Sequence, residues 1–242
     1  MKQTIVNLLD AAVQKTGMRL IPAWRFQWWT AAQSFELRGH EYPCFYHRYN
    51  CGWPPYMSER CVELAIADAW LSEFRPEEVI EIGAVTPYYW PHRVATVVDP
   101  FDEHPLITDR RLLSEVTLDR PTLSISTFEH IGMGDYGSLE KRDAVDQAFE
   151  KLFSEAKQFL VTVPVGYNSR VDEMLFQSGV PNDVSLDFVI RTERGDWRST
   201  RNVEEARLPY GDAALRAKFP DAVAIGTWAN SVAILQRALK DR

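Results

Sequence analysis

The sequence predicts an α/β protein with a mostly parallel sheet and helices on both faces. Three observations carry this expectation. Short apolar runs recur at Val79 to Gly83, Ala95 to Asp99, Thr122 to Ser126 and Phe159 to Val165, a helical pattern lies between the last two, and acids and glycines cluster where the runs end. Runs without polar alternation suit strands covered on both faces, which is the usual condition of parallel strands. A chain of 242 residues suffices for one large α/β domain or for a core with an N-terminal extension. The second is expected, with residues 1–57 as a helix and aromatic-rich cap and 58–242 as the core domain.

Composition narrows the function classes. Hydrophobic residues at 45% and charged residues at 25% are ordinary for a globular protein. A net charge of -7 and a pI near 5.3 disfavour nucleic acid, whose binding rests on clustered Lys and Arg. In the opening MKQTIVNLLDAAVQKTG, Asp10 and Lys15 interrupt the apolar residues, so no signal peptide is read there, and no run approaches transmembrane length. Cys44, Cys51 and Cys61 form an odd set within a short region, which fits reduced thiols and a cytoplasmic protein.

The elements follow in order. Ile5, Leu8, Leu9, Ala12 and Val13 recur at helical spacing before Gly17. Residues Ala23 to Pro55 carry many aromatics without clean periodicity, suited to packing as a lid or to lining a pocket for a sugar ring or another flat acceptor. From Ser58, an available N-cap, the residues Cys61, Val62, Leu64, Ala65, Ala69 and Trp70 make a wide apolar helical face, which Pro76 ends. Val145, Ala148, Phe149, Leu152, Phe153 and Ala156 form a crossover helix, with Ser138 as its cap and Glu140 in its first turn. Leu186 to Glu193 and Ala222 to Ala229 are further candidate strands separated by a polar, Arg-rich stretch, and a short helix is expected from Asn230.

The chemistry is expected at the carboxyl ends of the strands, where open α/β sheets bind ligands. The first strand reads VIEIGAVTPYY and brings Glu81 two positions before Gly83. Glycine there permits unusual dihedrals and close approach, while the carboxylate can accept from an ammonium group or fix the loop. The second strand ends in Asp99, eighteen residues after Glu81, where an acid can take both hydroxyls of a ribose. A nicotinamide enzyme would show GxGxxG, with a helix N-terminus receiving the pyrophosphate, whereas this loop is GAVTPY. S-adenosylmethionine has no phosphate, so the loop favours that cofactor over a dinucleotide. A later strand continues as STFEHIGMGDYG and places Ser126, Thr127, Glu129 and His130 past its carboxyl end.

Taken together, EIG, VVDPFD, STFEHIG and FLVTVPVGYN resemble class I S-adenosylmethionine-dependent methyltransferases over roughly Ser58 to Asn168. Within that superfamily the chain is most similar to a poorly characterised bacterial group with STLEHIG-like and TVPVGYN-like segments, whose relatives sit among sugar-modifying enzymes. The resemblance implies a Rossmann-like, mostly parallel sheet with an antiparallel C-terminal strand. It also implies Glu81 and Gly83 under the methionine part of the cofactor, Asp99 on the ribose, Phe101 near adenine, and Ser126, Glu129 and His130 facing the methyl group or acceptor. Pro87 departs from the family's glycine-rich loop, and the short interval between Asp99 and Pro121 compresses the third strand. Asp109 is carried over as the adenine-contacting acid.

Methyl transfer from a sulfonium needs alignment and, for a hydroxyl acceptor, one base. His130 suits that role, with Glu129 or Asp135 to orient its ring. The alternative is a bracing role for His130, with Glu129 bonded to backbone amides. Arg60 and Glu63 are placed to reach the methionine carboxylate or ammonium, or else form an ordinary salt bridge. Tyr88, Tyr89 and Trp90 could meet the cofactor's cation with their faces or simply pack. His40, Cys44, His47 and Cys51 raise a zinc site without the repeated CxxC that would specify it, and Asp99, Asp102 and Glu103 a magnesium site that ribose binding makes unnecessary. No metal is therefore assigned. Two functions result: O-methylation of a hydroxyl on a carbohydrate or other polar small molecule, or a methyltransferase-fold module without catalysis that binds within a larger assembly. Expected partners are a small-molecule or glycan acceptor, with no nucleic acid and no membrane span, and a homodimer is allowed.

Overall fold

The structure is a computed structural model and describes residues 34–45, 58–135, 141, 143–177, 179–192, 196–208, 210–211 and 229–238. The expected helix near residues 5–13, most of the aromatic-rich segment, Ser138 as a helix cap and the expected strand through residues 222–228 lie outside them.

The described chain opens with a hairpin that periodicity did not reveal. Strands β1 (Ser34–Leu37) and β2 (His40–Pro43) pair antiparallel. The two turn residues, Arg38 at φ 54° and Gly39 at φ 79°, are both left-handed, which matches the twist of a tight hairpin. Helix α1 (Arg60–Leu71) follows and buries nearly its whole apolar face, but Ser58 does not cap it. Glu59 holds the cap position in helical conformation and makes no side-chain capping bond. Then come β3 (Ile80–Ile82), a one-turn α2 (Thr86–Tyr89), β4 (Thr96–Val98), β5 (Thr122–Ile125), α3 (Ala144–Glu155), β6 (Phe159–Pro164), α4 (Ser169–Phe176), β7 (Ser185–Arg191), β8 (Trp197–Thr200), a one-turn α5 (Val203–Ala206) and β9 (Ser231–Arg237).

The main sheet has seven strands in the order β4-β3-β5-β6-β9-β7-β8. The first four are mutually parallel, β9 inserts antiparallel between β6 and β7, and β8 runs antiparallel along the edge. Five strands therefore share one direction. This α/β arrangement is compatible with the Rossmann-like methyltransferase sheet expected from the sequence. The C-terminal strand is antiparallel, yet it occupies 231–237, where a helix was expected. The reason is visible in SVAILQR: its first five residues are all buried, and a run covered on both faces suits a central strand better than an amphipathic helix. Strand β8, within the Arg-rich stretch, was also unforeseen. The compressed third strand is reduced to a single parallel bridge between Val98 and Asp109.

Two cores flank the sheet. On one face α1 and the hairpin pack against Leu123, Ile125, Leu160, Val189, Val232 and Ile234. On the other, α3 and α4 cover Ile80, Ile82, Val161, Val163, Phe188 and Leu235. The hairpin is also tied down electrostatically. Asp187 on β7, 3% exposed, accepts from Arg38 Nε at 2.7 Å and from Arg201 Nε at 2.9 Å, while Arg38 Nη1 reaches Gln236 at 2.7 Å. Asp187→Ala is expected to lower unfolding free energy by about 1–2 kcal/mol, since both arginines regain water but the cross-link is lost. Urea denaturation reads this directly, and a loss below about 0.5 kcal/mol would show that apolar packing alone holds the hairpin.

Candidate functional site

The parallel strands place their carboxyl ends on one edge, and the chain leaves β3 toward β4 and later returns to β5 on its other side. Between β3 and β5 lies the switch point where such sheets take ligands. Gly83 and Asp99 meet at this edge: Gly83 N–H donates to Val98 O at 2.9 Å, and Ala84 N–H to Asp99 Oδ2 at 3.0 Å.

Several expected ligand-binding groups turn out to be engaged by the chain itself. Asp99 Oδ1 accepts from the amides of Phe101 and Asp102, each at 2.9 Å. With Ala84 this makes three bonds on a carboxylate that offers about four acceptor positions, leaving room for one hydroxyl rather than a ribose pair. Glu81 is fully buried and fixes the loop: its Oε1 accepts from the amides of Val85 at 3.1 Å and Thr86 at 2.8 Å, and its Oε2 from the Thr86 hydroxyl. The carboxylate thus serves the first turn of α2, which explains how the loop manages with Pro87 in place of a glycine. Burial pushes Glu81 up to about 7, against the lowering effect of these bonds. Gly83, at φ +85°, packs against Thr127, whose side chain fills the space above it. Asp109 lies beside β4, and its carboxylate pairs with Arg111 at 2.6 Å, a bond that holds it below the usual carboxylate range. Phe101 is 43% exposed.

A second group of residues forms around α1 and the end of β5. Ser126 holds φ 41°, an uncommon conformation for a residue with a side chain, and its hydroxyl donates to Glu63 Oε1 at 2.6 Å. Thr162 on β6 donates to the same oxygen at 2.9 Å. Arg60 pairs with Glu63 Oε2 at 3.2 Å and approaches Ile125 O at 3.4 Å. Burial disfavours the Arg60 charge, but Glu63, Tyr89, Glu59 and Glu129 outweigh it and raise its pKa. Burial and then Glu63 raise Glu59, whose carboxylate accepts from Ala229 N–H at 3.0 Å.

His130 is oriented by Asp135 and not by Glu129. Its Nδ1 lies 2.9 Å from Asp135 Oδ2, the same oxygen that accepts from Tyr167 O–H at 2.7 Å, and the Tyr167 ring packs edge-on against the imidazole. Hydrogen bonds from His130 and then Tyr167 hold Asp135 below the usual range. Nδ1–H donating to Asp135 assigns the lone pair to Nε2, which faces Glu129 Oε1 at 3.7 Å, beyond hydrogen-bond reach. Glu129 is 1% exposed, and burial followed by the nearby Glu63 pushes its carboxyl well above the ordinary range. Among the described residues neither of its oxygens makes a hydrogen bond of acceptable geometry, to backbone amides or to side chains. Its own carbonyl is held by Asn168 Nδ2 at 2.9 Å.

Sequence reasoning missed Thr162, Glu59 and Tyr167. Tyr167 carried a usable signal, since TVPVGYN ends a strand parallel to β5 and so delivers its last residues to the same edge. Cys44 and Cys61 are buried, and burial and then the hydrogen bond with Cys44 raise Cys61 well above the usual thiol range, which disfavours its thiolate. Among the described residues no group of three or more His, Cys, Asp or Glu could hold a metal ion, and His47 and Cys51 lie outside them. Asp102 is engaged by Tyr88 O–H at 2.8 Å and the His104 amide at 2.7 Å. Among the described residues no helix is long and apolar enough to cross a membrane.

No protein-family model and no curated protein matches the chain. Among solved structures, a small RNA methyltransferase, HEN1, aligns with a TM-score of 0.34 and 12% identity over 79% of this chain and 27% of its own. The chain thus spans about a quarter of that protein's length.

Proposed function

We propose that the chain is an S-adenosylmethionine-dependent methyltransferase acting on a hydroxyl of a polar small molecule, with carbohydrates the class expected from its sequence. The observation that carries this reading is the His130–Asp135 pair just past the carboxyl end of β5, beside the β3–β5 switch point. When bound, the cofactor supplies an electrophilic methyl group on a good leaving group. The residues fit such a ligand in their polar groups: Asp99 keeps one acceptor position for a ribose hydroxyl, the exposed Phe101 ring offers a face for adenine, and Arg60 can meet a carboxylate. His130 Nε2 takes the acceptor's proton, while Asp135 holds the ring in the required tautomer. Tyr167 positions Asp135 and thereby acts on His130 only indirectly.

Calorimetry with S-adenosylmethionine and S-adenosylhomocysteine tests the reading, and no heat with either at millimolar concentration would overturn it. Asp99→Ala is expected to weaken S-adenosylhomocysteine binding about tenfold, the value of one lost hydrogen bond to a charged acceptor together with a loosened loop.

A second reading, a binding module without catalysis, is favoured by the internal bonds of Asp99 and by Thr127 over Gly83. It predicts cofactor binding without turnover across hydroxylated acceptors.

A further inference from the structure

Two thiols from different elements meet where the hairpin packs with α1. Cys44 immediately follows β2, and Cys61 is the second residue of α1, seventeen positions later in the sequence. Their backbones are tied together, since Phe45 N–H donates to Cys61 O at 2.9 Å, and the Cys61 thiol hydrogen-bonds with Cys44. Both side chains belong to the apolar cluster that holds α1 and the hairpin on the sheet. Thiols in such contact need no backbone displacement of the kind that forbids a bridge between distant cysteines. The two sulfurs are also unequal. The bond with Cys44 raises the Cys61 pKa, which marks Cys61 as its donor and leaves the Cys44 sulfur as the acceptor. Cys44 is the more accessible as well, 6% exposed against 0%. Cys44 is therefore placed to be oxidised first, and Cys61 to resolve it.

We propose that Cys44 and Cys61 are a redox-modification site, forming a disulfide within the native fold when a small hydroperoxide is present and so tying the hairpin to α1. The Cys44 sulfur attacks one oxygen of hydrogen peroxide, the O–O bond breaks, and Cys44 becomes a sulfenic acid while its proton leaves with the other oxygen as water. The Cys61 sulfur then attacks the Cys44 sulfur, the S–O bond breaks, and the Cys61 proton leaves with that oxygen as a second water. Two thiols and one peroxide thus give one disulfide and two waters, with two electrons passing from sulfur to oxygen. Burial of both sulfurs selects a small oxidant over a bulky one such as glutathione disulfide. The proposal is independent of the methyltransferase reading, but the bond would fix the first turn of α1, which carries Arg60 and Glu63.

Brief treatment of the full chain with hydrogen peroxide, followed by alkylation in denaturant and peptide mass mapping, tests this. Arg48 and Arg60 let trypsin deliver Cys44, Cys51 and Cys61 in three separate peptides, so the pairing is read directly. The expected product is the Cys44 peptide joined to the Cys61 peptide with two hydrogens lost. Its melting temperature should stand about 5–10 °C above that of the untreated protein, and a phosphine reductant should reverse the rise. Cys61→Ala should abolish both the joined peptides and the rise, whereas Cys51→Ala should preserve them, since Cys51 is the competing thiol of the same stretch. Mapping of the wild type decides the pairing even if Cys61→Ala folds poorly. Recovery of Cys44 and Cys61 as alkylated thiols, a bond through Cys51 instead, or a Cys44–Cys61 bond that leaves the melting temperature unchanged or lower would overturn the proposal.

Discussion

Gly83→Ala is expected to destabilise the protein by about 3–5 kcal/mol, the sum of a backbone and a packing penalty. Gly83 sits at φ +85°, a conformation that costs a residue with a Cβ about 1–2 kcal/mol. A Cβ built there would overlap Thr127 Oγ1 and lie 2.6 Å from its Cγ2 and 2.8 Å from its Cβ. Thr127 cannot easily retreat, because its hydroxyl donates to Ile125 O at 3.1 Å and its neighbour Phe128 is fully buried. The two penalties are separable. Gly83→Ala combined with Thr127→Gly removes the overlap but not the dihedral penalty, so most of the loss beyond that of Thr127→Gly alone should return, leaving about 1–2 kcal/mol. Urea denaturation of the four proteins gives the cycle. Should Gly83→Ala alone lose no more than the dihedral penalty of about 1–2 kcal/mol, Thr127 would be shown to swing aside, and the edge above β3 would be open enough for a ligand to do the same.

That close contact shows what was legible in the sequence and what was not. Strands β3 to β7 were visible because both their faces are covered, so each wrote a continuous apolar run, and the carboxyl edge followed from their shared direction. Gly83, Asp99, Ser126, Glu129 and His130 could be placed at that edge for the same reason. What each side chain bonds to could not. Asp99 was expected to hold a ribose because it ends a second strand, but an acid in that position is equally suited to gathering its own loop's amides, and the fold brings those of Ala84, Phe101 and Asp102 onto it. Glu129 and Asp135 were interchangeable as partners for His130 in the sequence, and a difference between 3.7 and 2.9 Å separates them. Strand β9 was misread because SVAILQR is apolar all round at its start, and a short run of that kind does not distinguish a buried strand from a buried helix. The β1–β2 hairpin was hidden for another reason. Its turn is Arg38–Gly39, outside the usual Asn-Gly signal, and Asp187, which holds Arg38, is 149 residues away.

The buried acids should make the protein lose stability as pH rises, and Glu81→Gln should remove a large part of that loss. Glu81 titrates from an unfolded value near 4.5 to about 7 in the folded protein. The native state therefore binds more protons than the unfolded chain between those values. Its contribution is fully present below about 4.5, falls as pH rises to about 7, and stays at its minimum above that. At about 1.4 kcal/mol per unit the change amounts to about 3 kcal/mol. Glutamine preserves the local bonds: its carbonyl oxygen can accept from Val85 and Thr86, as Oε1 does, and its amide can donate to the Thr86 hydroxyl. The variant should thus match the wild type near pH 4 and exceed it by about 2–3 kcal/mol near pH 8. Glu59 and Glu129 are raised for the same primary reason, burial, so the wild-type profile is steeper than Glu81 alone produces. The difference between wild type and variant at each pH isolates the one carboxyl. If that difference stays flat from pH 4 to 8, Glu81 ionises as freely folded as unfolded, and the loop it ties to α2 is open to water rather than sealed against it.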